Sequence, residues 1–195
     1  NGLRGISLDG TYETKISRCY ILGGRDGTPV ANYGKYGIWF GPNALLISIK
    51  DSSFRYWETD AYVDQTTDRS SASQSLYFNN VYFNSSGKHL VDVRNMRNTI
   101  FDHCEFEGWG GDTLGTSYAV VFGEYTPTFG KAGVSFNGCM FAGISSAGVI
   151  YGKSNFATLL MSNCWATSPN AGGYFGKLET SGTVDDRLYS STSIV

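Results

Sequence analysis

The sequence predicts an all-β chain whose short strands stack turn upon turn into a parallel coil. Three observations predict it. A six-residue cassette recurs about six times, at Ile16–Ile21, Ile49–Phe54, Phe78–Phe83, Phe101–Phe106, Phe136–Phe141 and Met161–Ala166. A second short apolar ladder follows each cassette, and no long stretch carries the 3.6-residue period of a helix. The cassette starts lie 33, 29, 23, 35 and 25 residues apart, so one structural unit recurs with loops of different length between copies.

The cassette is clearest in Phe136-Asn137-Gly138-Cys139-Met140-Phe141. Its first and last positions are apolar in every copy, the second and third are small, polar or charged, and the fourth is Cys, Ser or Val. Alternation on both sides of Asn137-Gly138 marks two short strands, with a bend at residues that tolerate left-handed backbone angles. An Asn-Gly hairpin is the first rival. The pairs Ser17-Arg18, Lys50-Asp51 and Asp102-His103 stand at the same place and are not hairpin pairs. A bend that turns a corner suits all six copies. Stacking three short strands per turn gives a right-handed single-stranded parallel β-helix of about six to seven turns. With strands about 4.8 Å apart, the prism is on the order of 30 Å tall.

Taken in order, residues 1–21 hold an opening rung, Gly5–Gly10, and the first cassette. The loop 22–36 is rich in Gly and lacks the Gly-Lys-Ser/Thr of a phosphate loop. The second ladder is expected at Gly37–Gly41, Ala61–Asp64, Leu90–Val93, Ala119–Gly123, Gly148–Gly152 and Gly173–Gly176. Residues 55–60 read as a loop dense in aromatic and charged residues, and 64–75 as a polar loop. The chain is thus expected to divide into a β-helix domain at 1–176 and a C-terminal tail or cap at 177–195. Because it starts at Asn1, it is expected to be part of a longer chain.

Composition bounds the rest. The 195 residues suit one domain, with 25 Gly for corners and 15% aromatic residues for an interior stack. A net charge of −2 gives no pull towards nucleic acid or anionic membrane, and no apolar run reaches the ~18 residues that span a bilayer. All four cysteines, Cys19, Cys104, Cys139 and Cys164, fall in the fourth cassette position. They read as small apolar side chains stacked inside the coil, not as a scattered disulfide framework or a metal site.

The strand–bend–strand repeat with an Asn or Asp corner resembles the pectate-lyase-like parallel β-helix superfamily. The richness in Tyr, Trp, Gly and Ser, with internal thiols, resembles the bodies of bacteriophage tailspikes, many of which depolymerise polysaccharide. The resemblance covers residues 5–176. It implies a homotrimer in a virion tail fibre or spike, made in the host cytoplasm, or alternatively an extracellular protein. It also implies a bacterial capsule or O-antigen as partner. An outward apolar stripe of Trp39, Val121, Ile150 and Phe175 would be covered by such packing.

Glycoside hydrolysis needs two carboxyls, about 5–5.5 Å apart for retention and ~6.5–9.5 Å for inversion. The candidates are Asp92, Glu58, Asp60 and Glu107, with Glu105 and Asp112 nearby. Trp39, Trp57, Tyr62 and Trp109 are candidate sugar platforms. The ordinary reading of each carboxylate is a solvated loop residue or turn cap. The outward cassette column Tyr20, Ser53, Tyr82, Glu105, Met140, Trp165 is either a binding stripe or part of a subunit interface. A polysaccharide lyase, a non-catalytic segment of a viral fibre and a bacterial adhesin are the competing readings. His89 and His103 read as capping or surface residues. No Ca²⁺ loop or Gly-x-Ser-x-Gly pattern is present, so the reading needs no metal and no cofactor.

Overall fold

A computed structural model describes residues 3–24, 32–41, 44–64, 75–94, 96–109, 117–123, 132–142, 149–153, 157–167, 176–180, 183–185 and 193–194. The expected rung at Tyr174-Phe175, the outward Phe175 and the candidate Asp112 lie outside the described residues. Two ladders of strands run the length of the coil. One joins Arg4–Leu8, Gly34–Phe40, Trp57–Val63, Val91–Val93, Val120–Phe122, Ile150–Lys153 and Gly176–Thr180. The other carries the cassettes, through Lys15–Ser17 with Tyr20–Leu22, Ile47–Arg55, Ser75–Asn84, Asn98–Asp102 with Glu105–Glu107, Ala132–Asn137 with Met140–Ala142, and Ala157–Ser162 with Trp165–Thr167. Neighbouring turns pair in parallel throughout. The ladder runs on past residue 176, where Gly176–Thr180 pairs with Ile150–Lys153 and then, antiparallel, with Thr183–Asp185.

The corner is a column of left-handed residues. Arg18, Asp51, Asn80, His103 and Asn163 have φ of 57°, 47°, 52°, 52° and 53°, and Gly138 joins them at 59°. Left-handed backbone costs a non-glycine residue roughly 1–2 kcal/mol. A polar ladder beside the corner offsets it. Asp102 accepts hydrogen bonds from Asn79 (2.8 Å) and Tyr77 (3.1 Å) on one side and from Asn137 (2.9 Å) on the other. The Ser162 hydroxyl donates to Asn137 at 2.9 Å.

Inside, alternation places one phenylalanine above the next. Phe78, Phe101 and Phe136 stack at 5.1 and 4.9 Å between ring centroids, with planes within 9° of each other. Phe83, Phe106 and Phe141 form a parallel pile at 5.3 and 4.8 Å. Edge-to-face contacts such as Phe78–Phe83 at 5.5 Å knit the two piles together, the geometry ring quadrupoles prefer. The cysteines occupy the expected line. Cys104, Cys139 and Cys164 are buried and Cys19 is half-buried, all as free thiols.

Two expectations need correction. Residues 57–60, expected as part of a loop, belong with the expected rung at 61–63 to one strand, Trp57–Val63, because Tyr56 turns the chain in a single residue at φ 60°. Ile150 faces inward and is fully buried, in line with Val120 and Val91. The outward neighbours along that ladder are Trp39, Tyr62, Asp92, Val121 and Tyr151, a mixed column. Trp39 and Val121 within it are themselves buried, and the Arg4 guanidinium lies 3.7 Å over the Trp39 ring. An apolar stripe open to solvent is therefore not formed by these residues.

Candidate functional site

The structure separates the expected carboxylates. Asp92 points outward, as alternation between Val91 and Val93 requires, but is buried beneath Arg94. The guanidinium grips it through two bonds, Nε to Oδ1 at 2.9 Å and Nη2 to Oδ2 at 2.7 Å. Glu58 is ion-paired with Lys88 on the following turn. Asp60 is fully buried. Its Oδ2 accepts the backbone N–H of Asn84 at 3.0 Å, while Oδ1 has no hydrogen-bond partner. Burial pushes its carboxyl well above the usual range, against the pull of backbone N–H groups and Arg55.

The expected platforms are mostly interior. Trp57 is buried, donates its indole N–H to the Ile21 carbonyl at 3.3 Å, and sits in a slot cut by glycines. A Cβ on Gly34 would lie 2.3 Å from the Trp57 ring, and one on Gly23 2.4 Å. Trp109 and Trp39 are also buried. Tyr62 is half-buried with its ring stacked 4.2 Å from that of Tyr36. Burial, the neighbouring Tyr36 and the charge of Asp92 push its phenol up.

Glu107 is placed differently. It and Glu105 leave one three-residue strand on the same face, two residues apart. Glu105 is in register with Tyr82, and Glu107 with Asn84. The Tyr82 hydroxyl and the Asn84 amide (2.9 Å) both donate to Glu107 Oε2, and the same amide reaches the Tyr82 oxygen at 2.7 Å. The Ser85 hydroxyl donates to Asn84 Oδ1 at 2.6 Å and so fixes which way the amide points. One turn earlier, the Arg55 guanidinium lies 4.5 Å from the centre of the Tyr82 ring and 5.6 Å from that of Tyr20. Burial and then the charge of Glu107 raise the Glu105 carboxyl above its ordinary range, with Arg55 opposing. Two carboxyls in unlike surroundings, one raised and one held by two donors, can divide the roles of acid and base.

This face is the outward cassette column together with the position two residues further on, Arg55, Asn84 and Glu107. Reading only the first of these columns in the sequence leaves Arg55 and Asn84 unnoticed. Tyr20 and Trp165, at 61% and 42% exposure, are its open aromatic faces. Among the described residues no group of three His, Cys, Asp or Glu side chains converges on a point that would hold a metal ion. Nor is any helix there long and apolar enough to cross a membrane.

The geometry defines a class of protein, a coil of parallel strands with a polar and aromatic face along one wall. The chain belongs to the right-handed β-helix region family, whose model matches residues 4–184. Comparison with curated proteins found no match, and comparison with solved structures found none.

Proposed function

We propose that this chain is the body of a tailspike-like protein that binds a bacterial surface polysaccharide, capsule or O-antigen, and cleaves it by glycoside hydrolysis. The observation that carries the reading is the Glu105–Glu107 pair and its unequal surroundings. The Cα atoms of alternate strand residues lie about 6.6–6.8 Å apart, so two side chains leaving one face can reach the ~6.5–9.5 Å that inverting enzymes keep between carboxyls. In this scheme Glu105 carries the proton and gives it to the glycosidic oxygen as the bond to the anomeric carbon breaks. Glu107 takes a proton from the water that attacks that carbon from the other side. Tyr82 and Asn84 hold Glu107 in place, and Tyr20 and Trp165 offer ring faces to the sugars. The right-handed β-helix is a fold common among proteins that act on polysaccharides, which supports the substrate class. In this role the chain works as a homotrimer in the virion.

Incubation with a panel of purified capsules and O-antigens tests the proposal. New reducing ends from one of them are expected, with loss of release in Glu105→Gln and Glu107→Gln while the fold and polysaccharide retention persist. Retention without new reducing ends points to a second reading, a non-catalytic glycan-binding segment of a fibre. The ion pairs that already engage Glu58 and Asp92 favour that alternative.

A further inference from the structure

The first three corners flank a shallow, open depression of about 410 Å³, lined among others by Arg18, Cys19, Tyr20, Asp51, Ser53 and Asn80. Left-handed backbone at Arg18, Asp51 and Asn80 leaves all three side chains exposed at the rim. Asn80 donates to Asp51 Oδ1 at 2.8 Å and so orders that pair. The Tyr20 ring is exposed and Arg55 lies against it.

Resting on the reading above, we infer that this depression is a distal sugar subsite, taking one pyranose ring of the bound chain against Tyr20. The chemistry matches. Arg18 has only donors and the Asp51 carboxylate only acceptors, whereas each sugar hydroxyl both donates and accepts. The position matches as well. Tyr20, Ser53, Tyr82 and Glu105 follow one another in register, so Ser53 lies two turns and Tyr20 three turns from Glu105. At about 4.8 Å per turn that is roughly 10–14 Å. A linked pyranose advances by close to the rise of one turn. The glycan therefore runs along the coil axis, and the depression holds the ring two to three units from the bond that is cut. Cleavage is then internal, and fragments too short to reach Tyr20 are poor substrates.

Cys19 supplies a readout independent of activity. It lines the depression and is half-buried, while Cys104, Cys139 and Cys164 are buried. N-ethylmaleimide labelling of Cys19, followed by mass spectrometry, is measured with and without each purified capsule and O-antigen. One polysaccharide is expected to slow it. Tyr20→Ala and Arg18→Ala should abolish that shielding and raise KM on the polymer about ten-fold with little change in kcat, and Tyr20→Phe should restore both. Cleavage by the wild type with Cys19 unshielded, or with KM unmoved in Tyr20→Ala, overturns the subsite and leaves the hydrolase reading standing. Shielding without any cleavage overturns the hydrolase reading and upholds the subsite. Labelling that no polysaccharide slows, with no cleavage, overturns both.

Discussion

Asp60 and Glu107 are bridged by one residue, Asn84, whose backbone N–H donates to the buried Asp60 at 3.0 Å while its side-chain amide donates to Glu107 at 2.9 Å. A carboxyl in the interior thus fixes the backbone from which the outer carboxylate is held.

This bridge sets a pH dependence. Burial raises the folded-state Asp60 carboxyl above its unfolded value, so the folded chain binds its proton more tightly than the unfolded chain does. The stability that proton confers is full below the unfolded pKa of about 3.9 and is lost as pH rises towards the folded value. Asp60→Asn removes the titration and keeps an oxygen to accept from Asn84. Urea unfolding should show the variant more stable than wild type at pH 8 and not at pH 3.5. An equal difference at both pH values would sink this account. Asp60→Ala, which strands the Asn84 N–H, should instead cost about 1–3 kcal/mol.

Asp102 shows the opposite sign. Burial pushes its carboxyl up, but hydrogen bonds from Asn137 and Tyr77 and the neighbouring His103 outweigh it and hold it below the usual range. Its contribution is present above the unfolded pKa and is lost as pH falls through the folded value. Asp102→Asn should cost on the order of 1–2 kcal/mol at pH 7, since the bonds it loses are to a charged acceptor at a partly exposed site. The two unfolding curves should draw together as pH falls through the folded value of Asp102.

The slot around Trp57 gives a test of packing. Gly34→Ala puts a methyl 2.3 Å from the Trp57 Cζ3 position and should destabilise by about 1–3 kcal/mol. In a Trp57→Leu background the same change should be nearly neutral, because the ring that clashes is gone. Additive costs in the double-mutant cycle would show that the clash is not the cause.

The interior pile can be probed where it is thickest. Phe101 lies between Phe78 and Phe136, so Phe101→Ala opens a cavity on both sides and should cost about 3–5 kcal/mol in denaturant unfolding. Cys139→Ser, by contrast, should cost under about 1.5 kcal/mol. Ser52 already occupies the same column three turns below, where its hydroxyl donates to the Lys50 carbonyl at 2.6 Å. Cys139 has the matching carbonyl of Asn137 at 3.5 Å.

What the sequence revealed follows from how often each feature repeats. The corner recurs six times and cysteine fills four of the six places beside it, so odd members such as Gly138, Ser52 or Val81 do not hide the pattern. Ile150 reads as outward in the sequence because Gly148 and Gly152 flank its rung and neither marks which side is inner. Residues 55–60 read as a loop because charge and aromatics there break the alternation. Asp60, a charged residue at a fully buried position, is the cause. The pairing of Glu105 with Glu107 lay in plain alternation. Its partners Arg55 and Asn84 come from other turns, and only the register supplies them.

Arg55 should set the acidity of Glu105. Among the groups around that carboxyl, burial and Glu107 raise it and Arg55 lowers it. Replacing the cation with the similarly long, neutral side chain in Arg55→Met therefore moves Glu105 further up. Carboxyl ¹³C NMR of the folded variant should show Glu105 titrating at higher pH than in wild type. If Glu105 is the proton donor in hydrolysis, the alkaline limb of the rate profile, where the donor loses its proton, should move to higher pH by the same amount. A limb that stays fixed while the NMR titration shifts would assign the proton to another group. A titration that does not move would mean that the guanidinium, drawn against the rings of Tyr20 and Tyr82, is screened from Glu105.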